Sequence, residues 1–194
     1  MTKRAVITGV GHYLPKKIVL NSEFEKTLNT SDDWIITRSG IRQRHFSSED
    51  ETTSKMAVLA GKQAIEDANI GVSDLDAIIL ATSTADLTFP SAATMVQAGL
   101  GMRHGFAYDV QAVCAGFIYA LSTANAQIIS GQANKILVIG SETFSNLMDW
   151  SDRSTCVLFG DGAGAVVLEG CDSNGTKDDR GILSTDLNSD GSYK

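Results

Sequence analysis

Five short runs of β-branched and apolar residues recur along the chain: RAVITGV at 4–10, DAIILATS at 76–83, GFAYDVQAV at 105–113, NKILVIGSE at 134–142 and AVVLEG at 165–170. Runs of this length and composition read as strands, and their unbroken hydrophobicity calls for sheets covered on both faces. The stretches 31–37, 53–68, 91–100 and 115–130 lie between them and read as helices. Alternation of the two types predicts an α/β fold. Within 53–68, Met56, Ala60, Ala64 and Ala68 share one face, Thr52 or Thr53 supplies a cap, and Gly71 follows the end; Pro90 and Ser91 start the next helix.

A hydrophobic content of 43% over 194 residues fills a sizeable core, and 18 glycines against two prolines without a low-complexity tract leave no sign of a linker before about Gly170. The net charge of −7 sets the protein's field against phosphate, which disfavours nucleic acid and anionic membranes as partners. Any phosphate has to be held locally. The one dense basic island is RSGIRQRH, with Arg38, Arg42, Arg44 and His45; charge alone leaves it either a solvated face or an anion site.

Three cysteines, Cys114, Cys156 and Cys171, give neither metal-ligand spacing nor a disulfide framework, so the expectation is a reduced, cytoplasmic chain with no metal. The apolar start breaks at glycines and Pro15, too soon for a secretory core, and no run approaches a membrane span. Cys156 opens the apolar run CVLFG, and Cys171 reads as part of a polar loop.

Cys114 is different. It follows the strand-like FAYDVQAV and precedes AGFIYALSTANAQIISG, in which Phe117, Leu121, Ala124 and Ile128 share a helical face. The thiol therefore falls near a helix N-terminus, where unpaired amides steady negative charge on a sulfur or on the oxygen of a bound acyl group. Free cysteine is also among the most buried residue types, so the residues alone leave nucleophile and small hydrophobe both open.

The phrases SDDWIITRSGIRQRH, FPSAA, VCAGFIYAL, SDRSTCVLFGDGAGAVVLE and DGSY occur together in this chain. As a set they resemble β-ketoacyl-acyl-carrier-protein synthase III, along the N-terminal part of that family's usual polypeptide. The resemblance implies a thiolase-like fold, one half of a two-half, five-layered αβαβα sandwich that pairs as a homodimer. Residues 1–170 would be the N-terminal half, and 171–194 the start of a connection to a C-terminal half. The implied activity takes an acyl group from acyl-coenzyme A onto a cysteine. It then condenses that group with malonyl-acyl carrier protein, with decarboxylation, to start fatty-acid synthesis. No cofactor is bound permanently; the coenzyme A thioester is a substrate.

Residue by residue, Cys114 in VCAGF resembles the acyl-accepting nucleophile. Trp34 and Arg38 match positions that hold the coenzyme's adenine and phosphates, Thr30 a nearby polar contact, and Arg153 a second arginine closing over the adenine. Ser154 stands where glycine is expected, so a side chain there would narrow the approach to the nucleotide. Phe89 resembles a residue that limits the neighbouring subunit's acyl pocket, and Phe159 a residue lining the same region. The family's histidine and asparagine donors come from its second half; His12, His45 and His104 lie in no matching motif. The resemblance also leaves room for a condensing enzyme of polyketide or signal-molecule synthesis, or for a non-catalytic subunit of a split pair.

Two glycine-rich phrases tempt a dinucleotide reading. GDGAGAVVLEG leads into a strand rather than a helix, which predicts a tight strand connection, and GVG at 9–11 is soon followed by Pro15. The final stretch, GILSTDLNSDGSYK, begins like a strand and turns polar.

Overall fold

The strand at Ala77–Ala81 (β4) buries all five of its residues. Ile78 and Leu80 enter one hydrophobic cluster and Ala77, Ile79 and Ala81 another, as the alternation of side chains along a strand dictates. The structure, a computed structural model, describes residues 2–192. In it β4 lies inside a five-stranded sheet with β1 (Thr2–Tyr13), β5 (Phe106–Val110), β6 (Lys135–Thr143) and β7 (Asp161–Ser173), in the order β1-β7-β6-β4-β5. The pairs β4–β5 and β4–β6 are parallel, and β7 runs antiparallel to both β6 and β1.

Helices α3 (Thr53–Asp67) and α4 (Ala92–Leu100) cover one face of this sheet and α5 (Gly116–Ile129) packs on the other. β1 accepts α3 closely because it carries glycine where the helix crosses. A Cβ on Gly9 would stand 2.3 Å from the carbonyl oxygen of Ala64, and one on Gly11 2.2 Å from that of Ala60. GVG is thus a packing device within a strand. The buried residues of α3, Met56, Ala57, Ala60 and Ala64 among them, match the expected face closely. On α5 the fully buried stripe is Gly116, Ala120, Ala124 and Ile128, with Phe117 and Leu121 flanking it, because the smallest side chains let the helix sit nearest the sheet. No helix among the described residues is long and apolar enough to cross a membrane.

Of a smaller layer only the helix at 31–37 was foreseen. β2 (Lys17–Leu20) pairs antiparallel with β3 (Gln43–Phe46), and with α1 (Asn21–Phe24) and α2 (Asp32–Ser39) it encloses a cluster of Val19, Phe24, Ile35, Cys156 and Val157. Here the basic island divides. Arg44 is not part of a solvated face: it is 6% exposed, donates to Asn21 Oδ1 at 2.8 Å and to the carbonyls of Val19 and Val157, and stacks on Phe24. Burial pushes its guanidinium below the usual arginine value.

Three further expectations are corrected. GDGAGAVVLEG is not a connection before a strand, because Asp161–Ser173 is one continuous strand whose glycines lie within the ladder. Cys171 lies in that strand, opposite Arg4, and not in a polar loop. Residues 182–190 form no strand; Ile182 donates one backbone bond to Ala5, and the residues beyond find no ladder. Tyr193 of DGSY lies outside the described residues.

Glu51 ties β1 to the loop before α3. Its carboxylate accepts from the Ser48 amide and hydroxyl, from the Tyr13 hydroxyl at 2.7 Å and from the Lys16 amide. Those donors, the Ser48 amide foremost and the Tyr13 hydroxyl next, hold its pKa at about 2 against an ordinary 4.5. A carboxylate with a depressed folded pKa stabilises fully above the unfolded value and loses that contribution as pH falls toward the folded one. Between pH 4.5 and 2 the native protein should therefore lose stability more steeply than Glu51→Gln, read as urea midpoints. Parallel slopes would show that the tie contributes nothing.

Candidate active site

β5 ends at Val110, and the chain turns through a single 3-10 turn, Val113–Ala115, into α5. Val113 takes a φ of 47°, a left-handed conformation that a β-branched residue adopts only when its surroundings enforce it. That turn presents Cys114. The residue is exposed, whereas Cys156 is sealed in the core of the smaller layer with its thiol pushed up by burial. The buried-hydrophobe reading therefore fits Cys156 and not Cys114.

Cys114 and Val113 border a cavity of about 180 Å³ whose walls include Ala81, Phe117, Gly140 and Glu142. Ala81 and Gly140 are the last paired residues of the parallel strands β4 and β6. Beyond them β4 leaves the sheet while β6 runs on beside β7, so a hollow opens at their carboxyl ends. The flanking connections lie on opposite faces, α4 between β4 and β5 and α5 between β5 and β6. Crevices of α/β sheets form at such reversals.

A second cluster gathers the nucleotide candidates. Ser31 caps α2 by accepting from the Trp34 amide at 3.1 Å, and Gly40 closes the helix in a left-handed conformation. Trp34 and Arg38, one turn apart on α2, then stack, the guanidinium carbon 4.4 Å from the ring centroid. Arg153 reaches the same ring from the turns between β6 and β7, at 4.9 Å, and also donates to the Asn29 carbonyl. Thr30 Oγ1 is buried without a hydrogen-bond partner, immediately before the cap. The Ser154 hydroxyl donates to Asp152 within its own turn.

Phe89 and Phe159 do not line the Cys114 cavity. Phe89 is 82% exposed on the segment between β4 and α4, and Phe159 stacks on Phe144 with centroids 5.2 Å apart. His45 is bonded through Nδ1 to the Pro15 carbonyl, and His12 and His104 are exposed; none lines the cavity. Among the described residues no group of acidic, histidine and cysteine side chains is arranged to hold a metal. Sequence reasoning missed Glu142 and Arg44, the first because its partners lie some sixty residues away, the second because burial of an arginine leaves no local signal.

The sequence family described as 3-Oxoacyl-[acyl-carrier-protein (ACP)] synthase III matches residues 108–191. The beta-ketoacyl-[acyl-carrier-protein] synthase III of Roseobacter denitrificans is 70% identical over 194 residues, all of this chain and 60% of that protein. The crystal structure of 3-oxoacyl-[acyl-carrier-protein] synthase III from Aquifex aeolicus VF5 superimposes with a TM-score of 0.83 at 52% identity, over 85% of this chain and 53% of that one. The priming beta-ketosynthase of the R1128 polyketide biosynthetic pathway superimposes with a TM-score of 0.85 at 35% identity, over 89% and 52%. The chain spans about 60% of the length of the curated relatives it matches. In sequence and in α/β fold the chain is similar to these thiolase-fold β-ketoacyl-[acyl-carrier-protein] synthase III proteins, over about 60% of the length of the curated ones.

Proposed function

We propose that a polypeptide carrying this chain transfers an acyl group from an acyl-coenzyme A thioester to Cys114. It then condenses that group with malonyl-acyl carrier protein, with loss of carbon dioxide, to start fatty-acid synthesis. The observation that carries this reading is an exposed cysteine on a strained turn at the start of α5, bordering a cavity. Its thiolate sulfur adds to the thioester carbonyl, whose oxygen takes up the negative charge. Collapse breaks the bond to the coenzyme's sulfur, which leaves and is protonated. One thioester replaces another, so little free energy separates donor and acyl-enzyme. A hollow of about 180 Å³ is small, which suits a short acyl group.

In the second step the malonyl carbon–carbon bond breaks, carbon dioxide leaves, and the resulting enolate carbon attacks the acyl-Cys114 carbonyl, releasing the thiolate. The enolate oxygen needs donors. The resemblance to β-ketoacyl-acyl-carrier-protein synthase III implies that a histidine and an asparagine of a second half supply them, and we adopt that assignment; no histidine of this chain lines the cavity. We draw the present half at residues 1–170, with 171–194 leading toward that second half, in a cytoplasmic homodimer. The chain alone would then accept an acyl group without making a ketoacyl product.

Thr30, Trp34, Arg38 and Arg153 are proposed as the coenzyme's handle, with Phe89, and Phe159 in the same region, limiting the acyl pocket of the neighbouring subunit rather than the cavity beside this chain's own Cys114. A purine between Trp34 and Arg153 requires the guanidinium to withdraw from 4.9 Å to roughly 7 Å, two contact spacings. Trp34→Ala should weaken coenzyme A binding by about 1–2 kcal/mol, roughly 5–30-fold, in isothermal titration calorimetry. Unchanged affinity in a folded variant would remove this handle. Likeness to the R1128 priming beta-ketosynthase supports a second reading, priming of a polyketide, and a panel of acyl-coenzyme A donors separates the two.

A further inference from the structure

Among the described residues Glu142 is the one acidic side chain bordering the Cys114 cavity, and it forms no ion pair with any of them. Its carboxylate instead reaches from β6 across to the segment that follows β4. Oε1 accepts from the Ser83 amide at 2.8 Å, and Oε2 accepts from the Thr84 hydroxyl and, at 3.3 Å, from that of Thr82. Thr84 is bound further, accepting at Oγ1 from the Thr143 amide at 2.8 Å, and its carbonyl accepts from the Thr53 hydroxyl at 2.6 Å. Two residues on, Asp86 accepts from the Ser54 amide at the start of α3.

These bonds span the gap where the two parallel strands part. Ala81 forms one wall of the cavity and Gly140 another, and the last backbone pairing between the strands joins those same two residues. Past that point the backbone ladder between β4 and β6 has stopped. Glu142 supplies the cross-tie that the ladder no longer provides. Because each partner is an amide or hydroxyl donor, the grip is directional, and the carboxylate satisfies donors that would otherwise be orphaned near the cavity rim.

We propose that Glu142 is a positioning residue that sets the width of the acyl cavity by holding the Thr82–Thr84 segment against β6. Its bonds go to Thr82, Ser83 and Thr84 rather than to the thiol, so its role runs through Ala81 and the segment beyond. In its reference to an acyl group this rests on the function proposed above, whereas the mechanical role stands on geometry alone.

The test compares size-graded thiol reagents. Cys114 labelling rates are measured by peptide mass spectrometry with iodoacetamide and with a bulky N-cyclohexylmaleimide, in the native protein, Glu142→Ala and Glu142→Gln. Acetyl- and hexanoyl-coenzyme A are run in parallel. Glu142→Ala should raise the bulky-to-small ratio roughly fivefold or more, as loss of the shared acceptor frees the wall. Glu142→Gln, which keeps an acceptor for the Ser83 amide, should return the ratio to within about twofold of the native value. An unchanged ratio in Glu142→Ala overturns the proposal. So does an equal change in both reagents, which is what general loss of structure would produce, and so does a failure of Glu142→Gln to restore the ratio. Native protein that reacts with the thiol reagents but with neither thioester would overturn the acyl-transfer reading and leave the positioning role to be judged on the reagent ratio.

Discussion

Replacing Cys114 by alanine should reduce acyl capture from acetyl-coenzyme A by about 10³-fold or more, to the level of non-enzymatic acylation of lysines. The size of the effect follows from the bond being made. No other side chain at the cavity wall is a nucleophile placed to compensate: Ser141 donates its hydroxyl to the Thr53 carbonyl within the buried core, and Glu142 is committed to three donors. The control is Cys156→Ala, whose thiol is sealed in the smaller layer and should leave capture unchanged. Intact-mass spectrometry after incubation with the thioester reads both. Equal capture by Cys114→Ala and the native protein would move the chemistry elsewhere.

The second large effect concerns stability. Asp161→Ala should destabilise the fold by about 3–5 kcal/mol, seen as a lowered urea midpoint with a native-like slope. Asp161 is 5% exposed and has no basic partner among the described residues; its carboxylate accepts from the amides and hydroxyls of both Ser47 and Ser145, at 2.6 to 2.8 Å. These donors come from the loop after β3 and the turn after β6, so one side chain at the start of β7 pins both. Removing it leaves two backbone amides without an acceptor, which costs more than the loss of the bonds themselves. Asp161→Asn keeps one oxygen but turns an amide group toward donors, and should fall between the two. A shift below about 1 kcal/mol for alanine would mean that water replaces the carboxylate at little cost.

How far the chain could be read in advance depended on how local each cause was. β4 was legible because a strand buried on both faces has no polar residue to confuse the pattern, and α3 because its small residues repeat at helical spacing. The turn at Cys114 was legible for the same reason, a strand giving way to a helix. β2 and β3 were not: KIVL and QRHF are four residues each, the second with three charged or polar residues, and only pairing across a long intervening stretch makes them strands. β7 was cut short because glycine signals a turn locally, whereas here Gly162 lies against Leu14 and the Tyr13 carbonyl, a contact made by tertiary packing.

The candidate site divides along the same line. Trp34 and Arg38 share one helix, so their stacking is nearly written in the spacing, but Arg153 arrives from the turns between β6 and β7, where the buried Arg44 of β3 donates to the Val157 carbonyl, and no local pattern announces that meeting. The cavity beside Cys114 depends on two strands parting and on Glu142 bridging them.

The most direct test of the account is the location of the acyl group. Protein incubated with isotope-labelled acetyl-coenzyme A, digested under conditions that preserve thioesters and sequenced by tandem mass spectrometry, should carry the label on the sulfur of Cys114 and release it to hydroxylamine. Label confined to lysines or to Cys171, with Cys114 recovered as the free thiol, would contradict it.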